Sequence, residues 1–175
     1  MSEPKKTGKR PNIKFDDFLK RFIETEWPVV LTEETYEEFS RQQLPIPQLL
    51  IEAFIRPFET IDEHTEFVPC IKWQVAKDVT AIVYWKAELM QYQYILATYN
   101  PAGFQLDRQI IAGTDYKREK VVRRVATIVD DNSVHILEGS ENIAKGDFDP
   151  RDTDRYTLEI TEKGEIIFSL MNETE

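Results

Sequence analysis

Apolar residues recur at three- and four-residue intervals through the first third of the chain and at intervals of two through the rest. The first spacing is helical and the second is that of strands. Phe15, Phe18, Leu19, Phe22 and Ile23 share one side of a helical wheel, with Lys14, Asp16, Asp17, Lys20 and Arg21 between them, which predicts an amphipathic helix from Ile13. Trp27, Pro28 and the run Val29, Val30, Leu31 then read as a short extended connection, because the residue before a proline is pushed out of the helical region. Thr32 ahead of Glu33 and Glu34 supplies a hydroxyl cap and an acidic first turn for a second helix, with Tyr36 and Phe39 as its buried stripe. Pro45 and Pro47 break that helix. Pro47 suits the first position of a third, running through Leu49, Leu50, Ala53 and Phe54 and ending before Pro57.

Beyond Pro57 the period of two predicts strands near 67–75, 79–87, 91–99, 104–112, 122–129, 133–139, 154–161 and 165–171. Several of the connections are long enough for a hairpin and too short for a parallel crossover. The turns Asn100-Pro101-Ala102-Gly103 and Glu162-Lys163-Gly164 carry the residues that tight turns favour. The expected fold is therefore α+β: N-terminal amphipathic helices packed on a C-terminal antiparallel β-meander of about eight strands, as a twisted sheet or a partly closed barrel. The organisation that goes with it is a flexible basic tail at 1–12 and a single α+β domain at 13–171, with helices in 13–56 and strands in 67–171. A flexible C-terminus follows at 172–175.

Register assigns side chains to faces. A turn at 88–90 pairs Ala87 with Gln91 and Val83 with Ile95; a turn at 100–103 pairs Tyr99 with Phe104 and Ala97 with Leu106. One face then holds Val79, Ala81, Val83, Trp85, Ala87, Ile95, Ala97, Tyr99, Phe104, Leu106, Ile110 and Ala112 as the core side. The other holds Tyr84, Lys86, Tyr92, Tyr94 and Gln109 and is expected to be at least partly wet. A turn at 162–164 sets Ile160 against Ile166, Leu158 against Phe168 and Tyr156 against Leu170.

Composition narrows the classes open to this pattern. The chain has 175 residues with 41% hydrophobic and 31% charged residues and only six glycines, the profile of a globular domain. No apolar run nears the ~20 residues that span a bilayer and no apolar leader segment is visible, so a cytoplasmic location is expected. A single cysteine, Cys70, excludes an intramolecular disulfide framework and a multi-cysteine zinc site. The net charge is -10. Lys5, Lys6, Lys9 and Arg10 against Glu3 give the tail about +3 and leave the body near -13. A body so acidic repels phosphate backbones, which makes nucleic acid an unexpected partner.

Four groups of residues could carry function. The tyrosine face of Tyr84, Lys86, Tyr92, Tyr94 and Gln109 offers contact area with polar tips, as interfaces favour. Trp73, Trp85, Arg108 and His64 could line a pocket between the helices and a curled sheet. Lys117, Arg118, Lys120, Arg123 and Arg124 form a basic island in the acidic body, where a phosphate or carboxylate could dock. Asp62, Glu63, His64 and Glu66 could hold a divalent cation, but they lack a histidine pair at helical spacing, and the only other histidine, His135, lies on a distant strand. Asp147, Asp149, Asp152 and Asp154 miss the EF-hand spacing, with Arg151 and Leu158 at ligand positions. Cys70 beside Pro69 reads as buried packing. With no phosphate loop, nucleophile elbow or zinc helix, no metal or cofactor is expected.

The sequence thus leans away from catalysis. It points to a cytoplasmic protein-binding or regulatory module of adaptor or immunity type, whose partner is another protein, a basic one where charge governs the choice. The alternative is a small-molecule-binding protein or hydrolase.

Overall fold

The computed structural model describes residues 12–143 and 148–171, with side chains throughout except at 148–152. The expected tail, apart from Asn12, and the expected flexible end at 172–175 lie outside the described residues. The described chain is mostly one large sheet with little helix. In order it contains α1 (Phe15–Leu19), β1 (Ile23–Glu24), β2 (Val29–Leu31), α2 (Thr35–Gln42), α3 (Gln48–Phe54) and a 3₁₀ turn (Arg56–Phe58). The strands β3 (Glu66–Ala76), β4 (Val79–Glu88), β5 (Gln91–Tyr99), β6 (Gln105–Tyr116), β7 (Lys120–Ile128), β8 (Ser133–Asn142), β9 (Phe148–Ile160) and β10 (Ile166–Leu170) follow.

Strands β3 to β10 pair antiparallel in sequence order, β1 adds in parallel beside β3, and β2 pairs with β7. The sheet is open, with β10 at one end. β6 and β7 pair only where Gly113–Tyr116 meets Val121–Arg124; beyond that β7 takes β2 as its neighbour, Leu31 opposite Ala126. The parting of β6 and β7 divides the meander into two halves. Val83, Trp85 and Leu96 from the first and Ile128, Ile136 and Leu158 from the second belong to one apolar cluster. A second cluster covers the opposite face of β3 to β5, where Ile82, Tyr84, Ile95 and Tyr99 meet Phe15, Phe18 and Phe22 from the α1 region and Leu50, Ile51 and Phe54 from α3.

β4 and β5 are thus covered on both faces, and this corrects the expected wet side. The run Ala81, Ile82, Val83, Tyr84, Trp85 is buried without a break, as continuous apolar stretches are when a strand has layers on both sides. The register between them also differs from expectation by one position. The turn is two residues, Leu89 and Met90, with Met90 at φ 63°, so Val83 pairs with Leu96, Tyr84 with Ile95 and Trp85 with Tyr94. In the next hairpin Tyr99 pairs with Gln105 and Ala97 with Arg108, after register shifts at Tyr94/Ile95 and Thr98/Tyr99. Phe104, expected in the core, is 68% exposed. The last hairpin pairs as expected, Ile160 with Ile166, Leu158 with Phe168 and Tyr156 with Leu170.

The helices are shorter than the pattern implied. α1 ends at Leu19, because the chain turns to lay Ile23 beside Ile71 of β3, although Phe15, Phe18 and Phe22 keep their buried stripe. At the start of α2 the Thr32 and Thr35 hydroxyls each accept a hydrogen bond from the other's backbone N–H. Tyr36 and Phe39 lie against the first cluster as half-buried residues, while Leu49 and Ala53 of α3 face solvent. Among the described residues no helix is long and apolar enough to cross a membrane.

Candidate functional site

The one-position shift separates the expected tyrosine face. Tyr84 and Lys86 lie on the side of α1 and α3, whereas Tyr92, Tyr94 and Gln109 belong to the opposite face. Tyr84 and Tyr94 are fully buried, so the pair offers no exposed docking surface. The Tyr84 hydroxyl donates to Glu59 Oε1 at 2.8 Å, and burial, followed by the Glu59 charge, raises its phenol well above the usual range. Lys86 is held by Glu59 Oε2 at 2.9 Å and Glu88 Oε1 at 2.8 Å, and Arg108 closes on Glu59 from the other side. The Glu59 side chain is only 3% exposed and sits between two cations and a phenol. Such a group holds the 3₁₀ turn region to β4 and β6. Tyr94 donates to the Thr32 carbonyl at 2.8 Å and shares a 3.0 Å contact with the Thr35 hydroxyl, which pins the start of α2 to β5; burial pushes its phenol up as well.

Tyr92 survives as a half-buried surface tyrosine, and its neighbours form the best-defined site among the described residues. Paired residues of adjacent strands share a face. Glu66, Ala87, Tyr92 and Thr114 therefore make one row across β3, β4, β5 and β6, and Val68, Trp85, Tyr94 and Ala112 make the row behind it. Tyr36 of α2 stacks on Trp85 at 4.4 Å between centroids and 18° between planes. Tyr92 lies parallel to Trp85 at 5.9 Å, and Tyr116 meets Tyr92 edge-on at 6.3 Å. Tyr36, Tyr92 and Tyr116 keep part of their surface open, over a buried Trp85 whose Nε1 has no hydrogen-bond partner among the described residues.

Carboxylates flank these rings. Glu66 ends the row at β3, and its charge is the second cause, after burial, of the raised phenol of Tyr36. Glu33, just before α2, accepts from the Thr114 hydroxyl at 3.5 Å at the other end. Neither carboxylate has a salt bridge among the described residues, where ten other pairs do form. Aromatic faces attract cations, and unpaired carboxylates beside them add to the attraction. Tyr36, Tyr116, Glu33 and Glu66 were not legible as a group in the sequence. Their meeting depends on the length of two hairpins and on where α2 lands; the sequence offered Tyr92, Trp85 and Glu66 in three separate groups.

The other expected groups disperse. Trp73 donates its Nε1 to the Asp131 carbonyl at 2.8 Å and packs edge-on to Trp27, which donates to Asp131 Oδ1. Trp85 lies under Tyr36, Arg108 is with Glu59 on the other face, and His64 stands on an exposed turn, so no common pocket joins the four. In that turn Asp62 Oδ1 accepts from the His64 N–H at 2.8 Å and the Thr65 hydroxyl at 3.0 Å, which keeps its carboxyl below the usual range. Of the later acidic stretch, Asp154 alone has a described side chain.

The basic island is largely spent on local acids. Arg124 pairs with Glu138 and donates to the Ile110 carbonyl, Arg123 pairs with Glu141 at 2.9 Å, and Lys117 lies 3.8 Å from Asp115. Arg118 and Lys120 are exposed at the β6–β7 turn. Beside them, where β6 and β7 part, a cavity of about 310 Å³ is lined by Gln91, Gln93, Gly113, Val122, Arg124 and Glu138 among others. Cys70 is buried, and burial raises its thiol far from the reactive range. No known family matches the chain, and no curated protein or solved structure matches it either.

Proposed function

We propose that this chain is a non-catalytic cytoplasmic protein-binding or regulatory module, adaptor- or immunity-like, that receives a cationic side chain of a basic partner on the row formed by Tyr36, Trp85, Tyr92 and Tyr116. The observation that carries the reading is the juxtaposition of the part-exposed rings of Tyr36, Tyr92 and Tyr116, gathered over the buried Trp85, with Glu33 and Glu66, two carboxylates without a salt bridge among the described residues. The net charge of -10 supports it, since a basic partner would be drawn in and oriented before contact. Arginine suits the row best, because its flat guanidinium stacks on rings while its N–H groups reach carboxylates.

An arginine-rich peptide titrated into the protein tests this, with tryptophan fluorescence and calorimetry as readouts. Binding weakens with added salt, and Tyr92→Ala lowers affinity by roughly 2- to 30-fold, the range of a cation–π contact worth about 0.5–2 kcal/mol, with a further loss when Glu66→Gln is added. Unchanged affinity in a folded variant removes the site. A second reading, a small-molecule-binding protein, is favoured by the cavity of about 310 Å³ between β5, β6 and β7, whose size reaches the lower end of ligand pockets. Its lining differs from the Trp73, Trp85, Arg108 and His64 set expected from sequence.

A further inference from the structure

β6 and β7 are paired over Gly113–Tyr116 and Val121–Arg124, and the cavity of about 310 Å³ lies where they separate. Residues paired across neighbouring strands share a face, which sets out three successive rows on the side of the cavity. Gln93, Gly113, Arg124 and Glu138 form the first, and Gln91, Asp115 and Val122 the second. Lys117 and Lys120 form the third, across the turn that the Lys117 N–H closes on the Lys120 carbonyl at 2.8 Å. Gly113 has φ 135°, and a Cβ there would lie 2.0 Å from the Tyr92 carbonyl oxygen, so it lines the cavity without filling it. Ile110 and Val122 add apolar surface to the lining.

Charge on this face is divided along the rows. At the inner end Arg124 is bound to Glu138 and to the Ile110 carbonyl, so its charge is already answered. The Gln91 and Gln93 side chains are half-buried and form no hydrogen bond with a described residue. Each of these amides carries a donor and an acceptor side by side. At the outer end Lys117 and Lys120 are exposed with Arg118 beside them, facing Asp115 at 3.8 Å from Lys117 and Glu119 of the same turn. Three cations against two carboxylates leave this end basic in a chain of net charge -10. Two residues of strand, about 7 Å, separate the lysines from the Gln91 row.

We propose that this cavity binds an adenine nucleotide, with the base against Gln91 and Gln93 and the phosphate at Lys117 and Lys120. A glutamine amide matches the exocyclic amine and ring nitrogen of adenine with two hydrogen bonds. The base is uncharged, as the inner end requires, and the ribose spans the step from the glutamine rows to the lysines. Lysines hold phosphate as point charges. A single nucleotide suits this small basic end, whereas the acidic body repels the long phosphate backbone of a nucleic acid. The inference rests on the small-molecule reading of the cavity. It is independent of the aromatic row, since Tyr92, Thr114 and Tyr116 alternate to the opposite face of β5 and β6.

Calorimetry of the full chain with adenosine monophosphate, adenosine, guanosine monophosphate and inorganic phosphate tests it, with backbone amide NMR shifts locating each probe. Adenosine monophosphate binds tightest and loses affinity with added salt; adenosine binds more weakly and does not respond to salt. Gln93→Leu weakens both. Lys117→Ala with Lys120→Ala lowers the affinity for adenosine monophosphate about tenfold and leaves that for adenosine unchanged. These side chains are exposed or half-buried, so the variants keep the fold, as circular dichroism checks. Guanosine monophosphate or phosphate bound as tightly as adenosine monophosphate overturns the proposal, as do shifts that miss Gln91, Gln93 and Val122. Where adenosine monophosphate fails and an uncharged amide such as nicotinamide shifts those three positions, the small-molecule reading stands and this inference falls; silence with every probe removes both.

Discussion

Three of the seven tyrosines have no exposed surface at all. Tyr84, Tyr94 and Tyr99 are buried with their hydroxyls bound to Glu59, the Thr32 carbonyl and the Phe54 carbonyl, and burial is the first cause of the raised phenol in each case. In the unfolded chain these phenols ionise near pH 10. Above that pH the unfolded state holds fewer protons than the folded one, so stability falls as pH rises, by up to ~1.4 kcal/mol per pH unit for each tyrosine held neutral. A spectrophotometric titration read beside circular dichroism should therefore show these three ionising together with unfolding. Free titration of all seven tyrosines near pH 10 in a folded chain would contradict their burial. Glu59 makes a related point. A carboxylate on a loop looks solvated in the sequence, and only the fold brings Lys86, Arg108 and Tyr84 to it.

At the scale of elements, strand existence was legible, and so was the pairing of the last hairpin, because its turn is marked by Gly164 at φ 84°. The hairpin between β4 and β5 has no glycine to mark it. Met90 takes the left-handed conformation instead, and nothing local distinguishes a two-residue turn from a three-residue one. That single ambiguity moved every side chain of β5 to the other face relative to β4. Met90→Gly relieves the left-handed strain without touching the ladder, and a gain of roughly 0.5–1 kcal/mol in chemical denaturation is expected. A loss would mean that the exposed Met90 side chain contributes more than its backbone gives up.

The whole molecule is built around strands that serve two cores at once. In β4, Val83 and Trp85 belong to the cluster shared with the second half of the meander, while Ile82 and Tyr84 belong to the cluster under α1 and α3. Damage to one cluster should therefore reach the other through the strands themselves. Phe18→Ala, in the helix-side cluster, should cost about 3–5 kcal/mol. All three tryptophans lie in or against the other cluster. Their fluorescence midpoint should nonetheless fall together with the midpoint by circular dichroism, the mark of a single cooperative transition. Separate midpoints would show that the helical cover melts independently of the sheet.

By itself the sequence determined the change from helical to strand periodicity, the existence and order of the eight meander strands and the short antiparallel connections between them, though β6 runs on to Tyr116 and β9 begins as early as Phe148. Each of these depends on neighbours a few positions apart. Tertiary structure alone decided that β4 and β5 are covered on both faces, that Tyr84 and Tyr94 look in opposite directions, and that Tyr92 joins Tyr36 and Tyr116 between Glu33 and Glu66. Alternation specifies two faces but not what covers each. That depends on where α1, α2 and α3 come to rest, and on a turn in which one residue more or less costs little locally and reverses the strand that follows.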